Sequence, residues 1–213
     1  MNRRDFLKRA GAVAMVPAAV PDAIWGSSPD GASVAPEQAT SQIRPAITAV
    51  VYDQRYTDCT LFAAALVRLG AVGFPANGDS AQLWYGLLGA HLAQNAGRIA
   101  GLTTYADFSV SQTCGRELNL ATRYEGAHDG RRLKTNLKHR IRATGDIREI
   151  CDAFAGADVS WPESLANALS RLSETRDLAI RNQATATTPR SRSHPGYLTS
   201  WLLVPRLLGE RGL

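Results

Sequence analysis

The run Ala46-Ile47-Thr48-Ala49-Val50-Val51-Tyr52 constrains the fold more than any other stretch. It is rich in β-branched and aromatic residues, is bounded by Pro45 and Asp53, and has too few polar positions to alternate cleanly. Such a run reads as a central strand covered on both faces. A helix follows at once. Phe62, Ala65, Leu66 and Leu69 share one helical face, Thr57 or Asp58 stands where an N-cap is needed, and Gly70 occupies the left-handed C-terminal position. Strand, short loop and amphipathic helix form the opening half of a βαβ unit.

The pattern then recurs. Ala71 to Phe74 reads as a brief second strand before Pro75, and Asp79-Ser80-Ala81-Gln82 has the logic of a capping box. Trp84, Leu87, Leu88 and His91 continue at helical spacing until Asn95 and Gly97. Arg98 to Leu102 is a third strand, Thr104-Tyr105-Ala106-Asp107 launches a helix running to about Leu118, and Leu120 to Glu125 is a fourth strand. Strands alternating with helices predict an α/β fold. The expected architecture is a single domain with a mostly parallel, Rossmann- or flavodoxin-like sheet of about five strands, helices on both faces, and a helical insertion before the last strand.

That insertion spans 126–196. Ile147, Ile150, Cys151 and Phe154 predict one short amphipathic helix, and Ser160-Trp161-Pro162-Glu163 caps a second with Leu165, Ala168, Leu169 and Leu172 facing inward. Residues 182–195 are mostly Thr, Ser, Arg and Pro and read as a mobile loop. Tyr197 to Val204 is the last strand, stopped by Pro205.

The N-terminus has a different character. Arg3 and Arg4, then Asp5, then Phe6-Leu7-Lys8 and a weakly apolar run from Ala10 to Val20 resemble the twin-arginine signal of bacterial proteins exported already folded. Asn2 stands where that signal usually has Ser or Thr. The resemblance implies the twin-arginine translocase as a partner during export and a periplasmic or secreted destination. It also implies a client that folds before crossing, often because it carries a cofactor or travels with a subunit that does. The organisation expected is therefore a signal peptide over 1–26, a flexible linker over 27–45, the α/β domain over 46–205 and a tail over 206–213.

Charge adds little. The formal net charge is +5; Arg3, Arg4, Lys8 and Arg9 against Asp5 and Asp22 supply +2 of it, which leaves +3 for the remainder. Arg131 to Arg142 is dense in Arg and Lys with no acid, yet few aromatics are interleaved, so it reads as a solvated basic face and not as a nucleic-acid site. An acidic partner protein or an anionic lipid surface is the alternative use for it. Cys59, Cys114 and Cys151 form no CxxC pair and permit at most one internal disulfide.

In open α/β sheets ligands bind beyond the carboxyl ends of the strands. The strands as read deliver Asp53 and Arg55 from the first, Thr103, Thr104 and Tyr105 from the third, and Glu125 and His128 from the fourth. These are the candidate ligand-binding residues. The start of the helix at Thr104 adds backbone N–H groups suited to a carboxylate or phosphate. Each residue also has a plainer role: Thr104 as an N-cap, Asp53 as a turn former, Arg55 on the surface, His128 in a solvated loop. Cys59, in the first turn of a helix, has no identifiable base beside it and Asp58 opposes its thiolate.

No dinucleotide fingerprint, nucleophile elbow, phosphate-binding loop, haem motif or metal-ligand spacing is present, so no cofactor and no metal are expected. The first expectation is an exported, non-catalytic α/β domain that binds a small anionic ligand or assists a periplasmic enzyme. The alternatives are a small periplasmic hydrolase or isomerase with a polar site at the strand ends, and a structural subunit of an exported redox complex.

Overall fold

The β-branched run does form the strand its composition predicts. In a computed structural model of the protein, β1 (Ile47–Tyr52) lies between β2 (Val72–Pro75) and β3 (Arg98–Thr103) and is parallel to both. The structure describes residues 47–76, 78–131, 135–172, 181–191 and 194–206, all within the unit Gln42–Leu213. The expected signal peptide and linker, and the tail apart from Arg206, lie outside the described residues.

The remaining elements, in chain order, are α1 (Thr57–Arg68), α2 (Ser80–Tyr85), α3 (Leu87–Gln94), α4 (Tyr105–Glu117), β4 (Leu120–Asp129), β5 (Asn136–Thr144), α5 (Arg148–Ala155), α6 (Trp161–Arg171), β6 (Arg181–Pro189) and β7 (Tyr197–Pro205). Local signals account for several boundaries. Gly70, with φ of 99°, follows α1, and the Asp79 side chain accepts from the Gln82 N–H at the start of α2. At α1, neither Thr57 nor Asp58 caps. The N-cap position is Tyr56, with no side-chain hydrogen bond, and Asp58 is engaged elsewhere.

The expectation of a five-stranded parallel sheet is overturned. The sheet has seven strands in the order β2-β1-β3-β7-β4-β5-β6. Only β2–β1 and β1–β3 pair in parallel; β3–β7, β7–β4, β4–β5 and β5–β6 are antiparallel. Two features produce this. The last strand in sequence inserts between β3 and β4 with both of its faces buried, which its largely apolar composition, interrupted by Thr199 and Ser200, permits. The Thr-rich stretch is not a loop but β6, and the basic run enters β5, where Lys138, Arg140 and Arg142 do form an exposed face; the two strands extend the sheet beyond β4.

Both added strands obey the period of two. Along β5, Leu137, His139, Ile141 and Ala143 are buried while Lys138, Arg140 and Arg142 are exposed. Their β6 partners follow suit, with Ala184, Ala186 and Thr188 inward and Gln183, Thr185 and Thr187 outward. The inward residues of β6 are small because α5 packs close beneath them.

Helices flank the sheet unequally. On one face α1, α5 and α6 cover it from β1 to β6, with Val50, Phe62, Leu66, Phe154, Trp161 and Leu202 among the buried contacts. On the other, α2, α3 and α4 pack Trp84, Leu88 and Phe108 against Val51, Ile99 and Trp201, but this layer reaches only to β7 and the first residues of β4. Arg98, almost fully buried at the start of β3, donates to the carbonyls of Ser170 and Leu172 and so satisfies the end of α6. β1, β3, β4 and β6 run in the same direction. Their carboxyl ends and the start of α6 lie toward one edge of the molecule.

Candidate functional site

The β4–β5 register sets His128 directly opposite His139 on the face covered by α5 and α6. Their Nδ1 atoms are 2.7 Å apart, and both rings have no exposed surface. His128 Nε2 lies 2.7 Å from Ser200 Oγ, which in turn lies 2.9 Å from Tyr124 Oη. At the other end, His139 Nε2 is 2.8 Å from Thr188 Oγ1. The result is a continuous hydrogen-bonded chain, Tyr124–Ser200–His128–His139–Thr188, crossing four neighbouring strands inside the protein.

Proton counting gives this chain a direction. Thr188 Oγ1 also has the Pro189 carbonyl as an acceptor at 3.4 Å, whereas among the described residues Tyr124 Oη has no acceptor other than Ser200. Every donor is therefore used only if Tyr124 donates to Ser200, Ser200 to His128 Nε2, His128 Nδ1–H to His139 Nδ1, and His139 Nε2–H to Thr188. Both imidazoles are then neutral. Burial favours the same state: it pushes His128 well below the usual histidine range, with His139 and His194 adding to the effect. Burial, and then His194, lowers His139 to about 3.

Aromatic rings hold the histidines in place. His139 stacks on Phe154 with centroids 4.2 Å apart, and His128 lies 4.5 Å from the Trp161 ring at the start of α6. Gly126 makes room for the polar chain. A Cβ there would lie 2.6 Å from Ser200 Oγ and would overlap Tyr124 Oη.

Beside this chain, toward the strand-end edge, are buried polar atoms without a protein partner. His194 Nδ1 accepts from the Gly196 N–H at 3.0 Å, which puts its proton on Nε2. Among the described residues neither that Nε2 nor Trp161 Nε1 has a partner, and the two rings lie 6.5 Å apart. Burial and then the Arg190 guanidinium lower His194 to about 4. Asp58, in the first turn of α1, accepts from Ser191 through Oδ1 while its Oδ2 is unpartnered, and burial raises its carboxyl. Buried polar atoms are nearly always satisfied, so these three are open to a water molecule or a ligand group.

A second buried polar group lies on the opposite face. Ser80 donates to Asp107 Oδ1 at 2.6 Å, and Thr104 donates to Oδ2 at 2.7 Å while accepting from the Asp107 N–H. Both carboxylate oxygens are thus occupied. The arrangement clips α2 to the start of α4, a task shared by the Trp84–Ser111 hydrogen bond.

Of the candidates read from the sequence, Asp53, Thr103 and Thr104 adjoin at the carboxyl ends of the neighbouring strands β1 and β3, each engaged by its own neighbours, while Glu125 is mid-strand. Asp53 is fully buried and clasped by its neighbour: Arg55 donates from its backbone N–H and Nε to Oδ1 and from Nη2 to Oδ2 at 2.6 Å. The Asp53 carboxylate raises the Arg55 guanidinium above its usual value. Asp129 and Arg131 repeat the same Asp-x-Arg clasp at the end of β4. Thr103 is buried, donating to the Thr104 carbonyl and accepting from Trp201 Nε1. Thr104 is the N-cap of α4, and Tyr105 is exposed.

Glu125 and His128 stand on opposite faces of β4. Glu125 is mid-strand, in register with Trp201, and belongs to the uncovered face; His128 is not in a loop but inside the core. His139, Ser200, Tyr124 and Thr188 are signalled by no motif, because four different strands supply the chain. The visible hint was the alternation of His139 with Lys138 and Arg140, which marks an inward-facing histidine.

Cys59, Cys114 and Cys151 are free thiols. Burial raises the Cys59 thiol far above its usual value, so it is no nucleophile. Among the described residues no cluster of His, Cys, Asp and Glu is arranged to hold a metal ion.

No family model matches the sequence, and comparison with curated proteins and with solved structures returned no match. What stands is an α/β domain with a mixed, mostly antiparallel sheet and a buried Ser–His–His chain. That constellation, rather than kinship, has to carry the functional conclusion.

Proposed function

We propose that the protein is a small hydrolase in which Ser200 is the nucleophile, His128 its general base and His139 the group that orients the base. The observation that carries this is the pair of 2.7 Å contacts, Ser200 Oγ to His128 Nε2 and His128 Nδ1 to His139 Nδ1. A hydroxyl donating to an imidazole whose far nitrogen is fixed by a third group is the geometry nucleophilic hydrolases use. As Ser200 Oγ bonds to an ester or amide carbonyl carbon, its proton passes to His128 Nε2. The leaving group then takes that proton, and a water molecule repeats the sequence to free Ser200. His139 accepts from His128 Nδ1 throughout and shares the charge that develops. The unpartnered Trp161 Nε1–H offers a donor on the same side as His128.

Ser200 has no exposed surface. Substrate entry therefore requires the first turn of α6, with Trp161, to lift from the sheet. Lids and loops commonly gate sites in this way. Export by the twin-arginine route, through Arg3, Arg4, Phe6, Leu7 and Lys8, is part of the same proposal and would place the hydrolase in the periplasm or outside the cell.

A fluorophosphonate probe, read by intact mass, tests the chemistry. One adduct on Ser200 is expected in the folded wild type, and none in Ser200→Ala or in a folded His128→Asn variant. An unlabelled wild type, together with no turnover of short-chain esters, overturns the assignment. Export is tested separately by replacing Arg3 and Arg4 with Lys and following the protein's location.

A further inference from the structure

The geometry points to a second site, on the sheet face opposite Ser200, centred on Arg140 and built for a soluble small molecule bearing a dianionic phosphate group. Helices α2 to α4 leave β4, β5 and β6 uncovered on this side, and there a concavity of about 470 Å³ opens. Its floor is not neutral. β5 presents Lys138, Arg140 and Arg142 outward in strict alternation with the buried Leu137, His139 and Ile141. Outward side chains two residues apart on a strand stand about 6.8 Å from one another, so Arg140 and Arg142 can close on one tetrahedral anion from two sides.

The register decides what surrounds them. Arg140 is flanked by Ala127 on β4 and Thr185 on β6, and Arg142 by Glu125 and Gln183. Ala127 keeps the floor low beside Arg140, while Thr185 and Gln183 add neutral donors on the β6 side. Two arginines that stand two residues after an aspartate are clasped by it: Arg55 is held by Asp53 and Arg131 by Asp129. Among the described residues no salt bridge holds Arg140 or Arg142. Asp129 acts on Arg140 only through space and is itself held by Arg131. Two guanidinium forks side by side in a hollow match a phosphate bidentately. Glu125 repels an anion from the Arg142 end, which shifts the bound group toward Thr185 and Gln183.

None of these residues takes part in the Ser200–His128 chemistry, so the two proposals stand or fall independently. The test is calorimetric titration of the full chain at low ionic strength with inorganic phosphate and with glycerol 3-phosphate, beside a sedimentation assay with phosphatidic acid in phosphatidylcholine vesicles. Both soluble phosphates are expected to bind, and added salt to weaken them. Arg140→Gln with Arg142→Gln should weaken binding about a hundredfold, roughly tenfold for each guanidinium removed from the anion. Arg140→Lys, which keeps the charge but not the fork, should weaken it about tenfold. Glu125→Gln should tighten it, and Ser200→Ala should leave it unchanged. Equal affinity in wild type and the glutamine variant, or binding to vesicles with none to the soluble phosphates, overturns the proposal.

Discussion

His128 and His139 meet Nδ1 to Nδ1 at 2.7 Å across the β4–β5 pair, so one proton must serve both nitrogens and the two rings cannot both become charged without breaking the hydrogen bond. The consequence is a stability that depends on pH. His128, His139 and His194 all hold their protons less tightly in the native state than the ordinary value of 6.5, His139 at about 3 and His194 at about 4. Their contribution is complete above pH 6.5 and is lost as pH falls from there, toward about 4 for His194 and about 3 for His139, because the unfolded chain takes up protons that the native state refuses. Each histidine adds a slope of about 1.4 kcal/mol per pH unit in this window. Asp58, raised by burial, acts in the opposite sense and offsets part of the loss at the acid end. Urea unfolding at a series of pH values from 7 to 5 checks this; a flat profile rules out neutral buried histidines. The slope should be shallower in His139→Asn by about one histidine's share.

Gly126 should not tolerate a side chain. A Cβ would press on Ser200 Oγ at 2.6 Å and on Tyr124 Oη, both buried and hydrogen-bonded to each other. Gly126→Ala is expected to destabilise the fold by about 1–3 kcal/mol, the range for overpacking a tight interior. It should also shift the His128 ring resonances, because Ser200 is displaced. Unchanged spectra and an unchanged unfolding midpoint would show that the Tyr124–Ser200 end has room to spare.

The Asp53–Arg55 clasp predicts a charge-specific effect. Asp53 is fully buried and Arg55 supplies its only side-chain partner among the described residues, so Arg55→Ala should lower the melting temperature. Arg55→Lys should recover little, because one ammonium cannot reproduce two parallel N–H donors. Phosphate binding at Arg140 should be unaffected in both variants. Recovery of full stability by lysine would mean that charge alone, not the fork, holds the turn.

Arg98 ties β3 to the end of α6 through the carbonyls of Leu172 and Ser170, at 2.8 and 3.0 Å. Arg98→Met keeps the aliphatic bulk but strands those carbonyls in a buried setting, with an expected loss of about 2 kcal/mol. Hydrogen exchange should quicken across α6 before the central strands. If α6 is also the gate to Ser200, the same variant should react faster with the fluorophosphonate probe.

The sequence by itself determined the local elements wherever burial leaves a strong apolar rhythm. β1 is rich in β-branched residues, α1, α4 and α6 repeat at helical spacing, and β7 is apolar apart from Thr199 and Ser200. Thr104 and Asp79 mark helix starts because capping is settled within four residues. Only the tertiary structure decided the rest. β5 and β6 present basic, Thr and Ala residues that look like surface until a neighbouring strand and α5 give them an inside, and β7's place between β3 and β4 is fixed by non-local pairing that no short window contains. The Ser200–His128–His139 chain lies beyond both signals for the same reason. Its members are 11 and 72 residues apart, and hydrogen bonds between strands, not spacing along the chain, bring them together.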